Sequence, residues 1–184
     1  MAGMRGTTDT IIALASGSGR AGVAVVRVSG PAAAGVLRHF SKRPAPDPRV
    51  AAIRELHDGA EFLDEALVLW MPGPNSYTGE DVVEFHVHGG PAIIEAVLAS
   101  AVKSRLCRIA DPGEFTRRAF DAGRMDLTQA EAIADLIDAE TDGQRRQAGR
   151  LYQGEAARTF EGWRGLLMSA MAALEASIDF PDEA

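Results

Sequence analysis

Apolar and polar positions change rhythm once along this chain. Through the first two thirds, short apolar runs rich in Val and Ile alternate with turn residues; beyond that, apolar residues recur every three or four positions. Residues 9–15 and 23–29 read as strands separated by the glycine loop Gly17-Ser18-Gly19-Arg20-Ala21-Gly22. Gly30-Pro31 opens a helical stretch to about Phe40, and the Pro-rich run 44–48 reads as a linker. Further strands are expected over 50–56, 65–71 and 82–88, with Asp58-Gly59 as the hairpin turn between the first two. Helical spacing of Ile93, Ile94, Val97 and Leu98 predicts a helix over 91–104, followed by a short strand at 106–109.

The rhythm switches at Asp111-Pro112-Gly113-Glu114, where Asp111 as N-cap, Pro112 at the first helical position and Glu114 three residues after the cap predict a helix start. Gly123 should stop that helix. Asp126 with Gln129, or Thr128 with Glu131, should cap a second helix whose apolar stripe is Ala130, Ile133, Ala134 and Ile137. A third stripe runs through Phe160, Trp163, Leu167, Ala170, Leu174 and Ile178, and it needs partners. Two domains are expected, residues 1–122 and 123–184.

Composition narrows the function more than the fold. The chain has 184 residues, 46% hydrophobic and 24% charged, enough to bury a core. A net charge of −7 argues against a self-sufficient nucleic-acid binder, since neutralising phosphates takes a dense Lys/Arg surface. Any nucleic acid would need a local basic patch or another protein. Cys107 stands alone and makes no internal disulfide, and the start carries no basic region followed by an apolar run. No segment approaches the roughly 20 apolar residues of a membrane span, so a cytoplasmic location is the expectation.

Three candidate chemistries follow. Gly17, Gly19 and Gly22 spell G-x-G-x-x-G, but the fingerprint works only where a helix N-terminus follows, and here Val23, Val25, Val26 and Val28 favour a strand. The loop therefore reads as a hairpin connection, and no G-x-x-x-x-G-K-[ST] phosphate loop occurs. Glu84, His86 and His88 alternate onto one strand face, about 7 Å apart at successive Cα atoms. They offer the donor set of a zinc hydrolase, a binding or subunit-contact face, or a solvated edge beside the apolar Val83, Phe85 and Val87. Arg27 interrupts an apolar strand and, if buried, must meet a carboxylate or a polar ligand. Arg124, just beyond Gly123, is either a helix-terminal cation or a ligand contact. Tyr77, between Ser76 and Thr78, reads as a loop aromatic.

Six ordered blocks add a resemblance. They are residues 19–30 (GRAGVAVVRVSG), 72–81 (PGPNSYTGED), 88–91 (HGGP), 112–120 (PGEFTRRAF), 126–132 (DLTQAEA) and 178–183 (IDFPDE). In this order they resemble the N-terminal part of the MnmE (TrmE) family of tRNA uridine-modifying GTPases. The resemblance implies an α+β fold: a small mixed-sheet, aminomethyltransferase-like tetrahydrofolate-binding domain, followed by the long α-helices of an incomplete helical domain. It implies a homodimer with a tetrahydrofolate derivative, 5-formyl- or methylene-tetrahydrofolate, near the interface. The family's folate positions fall on Arg27, Glu84 and Arg124, with Arg20 and Tyr77 lining the site. A pterin's amino group and ring N–H match one carboxylate, as Glu84 supplies. On this reading His86 is a bystander, and His88 belongs with Gly89, Gly90 and Pro91 to the strand's exit.

In that family the one-carbon unit reaches C5 of the wobble uridine of certain tRNAs, with the FAD-containing partner MnmG (GidA). GTP hydrolysis, with magnesium and potassium, belongs to a G domain that this chain is expected to lack, together with the family's C-terminal helices. The chain is accordingly expected to bind folate and dimerise without hydrolysing GTP. Two other readings stay open: a stand-alone folate-dependent one-carbon transferase, and a metal-dependent hydrolase at Glu84, His86 and His88.

Overall fold

The computed structural model describes residues 9–179, and the chain divides into two compact units, one ending at Arg124 and the other beginning at Met125. The first unit is built on a six-stranded mixed sheet. Its strands are β1 (Ile11–Leu14), β2 (Ala21–Ser29), β3 (Ala52–Asp58), β4 (Glu61–Met71), β5 (Val82–Gly89) and β6 (Arg108–Ile109). They lie in the order β3-β4-β5-β2-β1-β6, every pairing antiparallel except β1 with β6. Its helices are α1 (Ala33–Phe40), α2 (Pro91–Lys103) and α3 (Glu114–Asp121).

One sheet face carries the core, because β-branched residues recur there at period two. Val26 and Val28 of β2, Val68 of β4 and Val83, Phe85 and Val87 of β5 are essentially inaccessible, beneath Val36, Leu37 and Phe40 of α1 and Val97 and Ala101 of α2. Phe40 meets Phe85 edge-on at 5.4 Å between ring centroids. The start of α1 is tied to β1 by Thr10, whose Oγ1 accepts the Ala32 N–H at 2.8 Å, supplying a cap that Ala32 itself lacks.

The glycine loop leads into β2, not into a helix, as the valine run predicts; Gly22 already lies inside the strand. The hairpin turn falls at Gly59 and Ala60, with Asp58 paired to Glu61. The helix start at Asp111 is corrected: α3 begins at Glu114, after Gly113 in a left-handed conformation. Glu114 does reach back to the Asp111 N–H, as a capping residue three positions on would. Its side chain is buried, where it accepts the Asp111 N–H at 2.8 Å and is held by two arginines.

The second unit holds α4 (Leu127–Asp138), α5 (Asp142–Tyr152) and α6 (Glu155–Asp179). Asp126 and Gln129 form the predicted capping box, and Thr141 with Gln144 forms another at α5, a helix the apolar pattern does not mark. The stripe expected on α4 is rotated: Ala132 is the buried residue, while Ile137 is 77% exposed. Ala132 and Ala148 of α5 are both buried, since small side chains let two helices approach closely. On α6, Phe160, Trp163, Leu166, Leu167, Leu174 and Ile178 are all exposed.

Candidate functional site

The second face of the sheet brings together three of the predicted site residues, Arg27, Glu84 and Tyr77. Alternation sends Arg27 and Glu84 away from the core, and the β2–β5 register sets them directly opposite each other, with Leu69 of β4 next in the row. Arg27 Nε donates to Glu84 Oε1 at 2.8 Å, with both side chains mostly buried. The arginine inside an apolar strand is thus paired with a carboxylate on the neighbouring strand. Glu84 Oε2 lies 3.4 Å from His86 Nε2, a long contact on the same strand face.

Two aromatic rings cover Arg27. The guanidinium carbon stands 4.7 Å from the centroid of Tyr77 and 5.5 Å from that of Phe115, inside the range of cation–π attraction, each contact contributing on the order of 1 kcal/mol. Tyr77 belongs to the loop between β4 and β5 and Phe115 to the first turn of α3, and the Tyr77 hydroxyl meets Thr116 Oγ1 at 3.1 Å. The loop is therefore docked on α3. Gly79 brings it against Arg124: a side chain there would stand 3.5 Å from Arg124 Cγ, and its φ of +79° suits glycine. Arg124 is itself exposed, past the stop at Gly123, and so is Arg20 in the glycine loop.

Sequence reasoning missed the ionic cluster behind this arrangement. Arg118, almost wholly buried, donates to Glu114 Oε1 at 2.8 Å, Asp9 Oδ1 at 2.9 Å and both carboxylate oxygens of Glu80 at 3.2 and 3.3 Å. Arg108 forks onto Glu114 at 2.6 and 2.8 Å and reaches Asp9 at 2.7 Å. Hydrogen bonds from Arg108 hold the Glu114 carboxyl down at about 2, against the upward push of burial, with Asp111 N–H and Arg118 adding to the lowering. Burial opposes the charge on Arg118, but Glu114, Glu80 and Asp9 outweigh it and raise its pKa. The readable signal was Glu114 and Arg118 at i, i+4 on one helix face.

Glu84, His86 and His88 do not converge on one point. His88 turns to Asp64, which accepts its ring Nδ1 and its backbone N–H, both at 2.7 Å. Among the described residues no group of three or more His, Cys, Asp or Glu is placed to hold a metal ion. Nor does the pair line either of two surface clefts. One, of about 320 Å³, lies by Lys42, Glu55 and His57; the other, of about 530 Å³ and largely apolar, lies by Leu14, Ile94 and Leu98. Among the described residues no helix is long and apolar enough to cross a membrane.

Comparison with known proteins follows the same division. The family model described as "GTP-binding protein TrmE N-terminus" matches residues 10–124, and that described as "MnmE helical domain" matches residues 127–184. The tRNA modification GTPase MnmE of Maricaulis maris is 55% identical over 176 residues, covering 95% of this chain and 40% of the relative. Its namesake in Caulobacter vibrioides is 54% identical, covering 96% and 39%. The mitochondrial 5-taurinomethyluridine-[tRNA] synthase subunit GTPB3 of Danio rerio is 51% identical, covering 95% and 35%. The chain thus spans about two fifths of the length of the bacterial relatives it matches.

Proposed function

This chain belongs to the MnmE (TrmE) family, and from that premise we propose that its first unit binds a tetrahydrofolate derivative at the Arg27–Glu84 pair. The observation that carries this reading is the placement of a carboxylate on the sheet's second face, beneath Tyr77 and Phe115, with acceptor capacity to spare. A carboxylate offers about four acceptor positions, and Glu84 uses one for Arg27 and a looser one for His86. A pterin's adjacent N–H donors suit what remains. Arg27 and Arg124 supply positive charge for the anionic folate tail, with Tyr77 and Arg20 at the rim. When bound, the folate supplies a one-carbon unit at the formyl or methylene oxidation level. The protein's share is to orient the pterin on Glu84 and to exclude water through Tyr77 and Phe115.

We place this activity in a tRNA-modification GTPase of the kind its relatives are named for. There the unit would form the homodimer and work with MnmG and its FAD on the wobble uridine of tRNA. GTP, magnesium and potassium would act in the part of the relatives' length that residues 1–184 do not match. The acidic charge of this chain fits a role in which tRNA is engaged through the complex. A stand-alone one-carbon transferase has less support, since among the described residues His86 is the one further acid or base bonded to the Arg27–Glu84 pair.

Calorimetric titration with 5-formyl-tetrahydrofolate tests the reading. Binding to the wild-type chain that falls at least about 30-fold in Glu84→Ala is expected for loss of a charged, bidentate acceptor. Equal affinity in the two proteins would overturn it.

A further inference from the structure

The loop that carries Tyr77 is held by a further set of buried bonds with no part in the proposed ligand contacts. Ser29, wholly inaccessible on β2, gives its Oγ to Glu80 Oε2 at 2.6 Å and meets Thr78 Oγ1 at 2.7 Å. Thr78 Oγ1 accepts the Glu80 N–H at 3.3 Å, and Ser76 Oγ donates to the Glu80 carbonyl. From the other side, Arg118 of α3 grips the Glu80 carboxylate while its second amino group holds Glu114 and Asp9. Glu80 is therefore a junction between loop, sheet and helix. The two rings over Arg27 come from opposite sides of that junction, Tyr77 from the loop and Phe115 from α3.

We propose that Glu80 and Arg118 are positioning residues for the ligand at Arg27–Glu84: their ion pair fixes the distance between the loop and α3, so that Tyr77 and Phe115 close on Arg27 before the ligand arrives. The inference rests on the folate reading above. A clamp assembled in advance spares the ligand the entropy of ordering the loop, which is how preorganisation raises affinity without a new contact. Arg118 suits the role because its planar fork reaches three carboxylates through two separate amino groups, where a lysine offers a single nitrogen. Glu80 stands outside the clamp and acts only through the loop.

The test uses Glu80→Gln, which keeps an acceptor for Ser29 and removes the charge facing Arg118, and Arg118→Lys, which keeps the charge and removes the fork. Two quantities are read in the whole chain: the affinity for 5-formyl-tetrahydrofolate, and hydrogen exchange at Arg27 Nε by nuclear magnetic resonance, with the Val68 and Phe85 amides as core controls. The expected result for both variants is about tenfold weaker binding and about tenfold faster exchange at Arg27, with the core amides unchanged. Unchanged Arg27 exchange, undiminished affinity, or core amides accelerating as much as Arg27 would each overturn the proposal. Absence of binding in the wild-type chain would instead overturn the folate reading, and this inference with it.

Discussion

Replacing Glu114 by Gln should weaken the first unit in a way that depends on pH with a defined sign. The folded protein holds this carboxyl at about 2, against 4.5 when free. At about 1.4 kcal/mol per pKa unit, that difference sets a ceiling of roughly 3 kcal/mol. Arg108 and Asp9 are both 45% exposed at their side chains, so solvent screens part of the attraction, and a loss of about 1–2 kcal/mol is expected. Because the folded pKa is depressed, the contribution is complete above the free value of 4.5 and disappears as pH falls toward 2. The gap between wild type and Glu114→Gln should therefore be full at about pH 7 and roughly halved near about pH 3. Urea unfolding followed by Trp70, in a Trp163→Phe background so that only the first unit is read, measures it. A gap that stays constant across this range would refute the ionic account of Glu114.

Two further outcomes follow from packing. Phe40→Ala removes a fully buried ring from between α1 and Phe85 and should cost about 3–5 kcal/mol by the same urea assay. Trp163 is 58% exposed on α6, whereas Trp70 packs against the core, so iodide should quench Trp163 far more than Trp70 in single-tryptophan variants at low protein concentration. Equal quenching would mean that the apolar face of α6 is covered.

What was legible in the sequence is what local physics decides alone. The valine run after the glycine loop, the Asp126–Gln129 box and the period-two pattern of β5 each specify an element without help from distant residues. Arg27 and Glu84 were identified singly, and their pairing depends on a β2–β5 register that no local pattern contains. Phe115 was invisible for the same reason, because only the docking of α3 brings it over Arg27. The start of α3 was misread because Gly113 takes a left-handed conformation that no helical residue adopts, which the capping pattern does not reveal. Glu114 makes the bond to the Asp111 N–H that the capping sequence implies, and two arginines also hold its carboxylate in a buried cluster that no local pattern contains. On α4 the larger apolar residues suggested the wrong face, since alanines at 132 and 148 are the buried ones.

Where a folate sits decides between the Arg27–Glu84 face of the sheet and the apolar cleft, and a crystal structure of the chain with 5-formyl-tetrahydrofolate measures that directly. The prediction is a pterin whose amino and ring N–H groups lie about 2.7–3.0 Å from the Glu84 carboxylate, with Tyr77 and Phe115 still over Arg27. A folate seated in the apolar cleft by Leu14, Ile94 and Leu98, with Glu84 bonded only to Arg27 and His86, would contradict it.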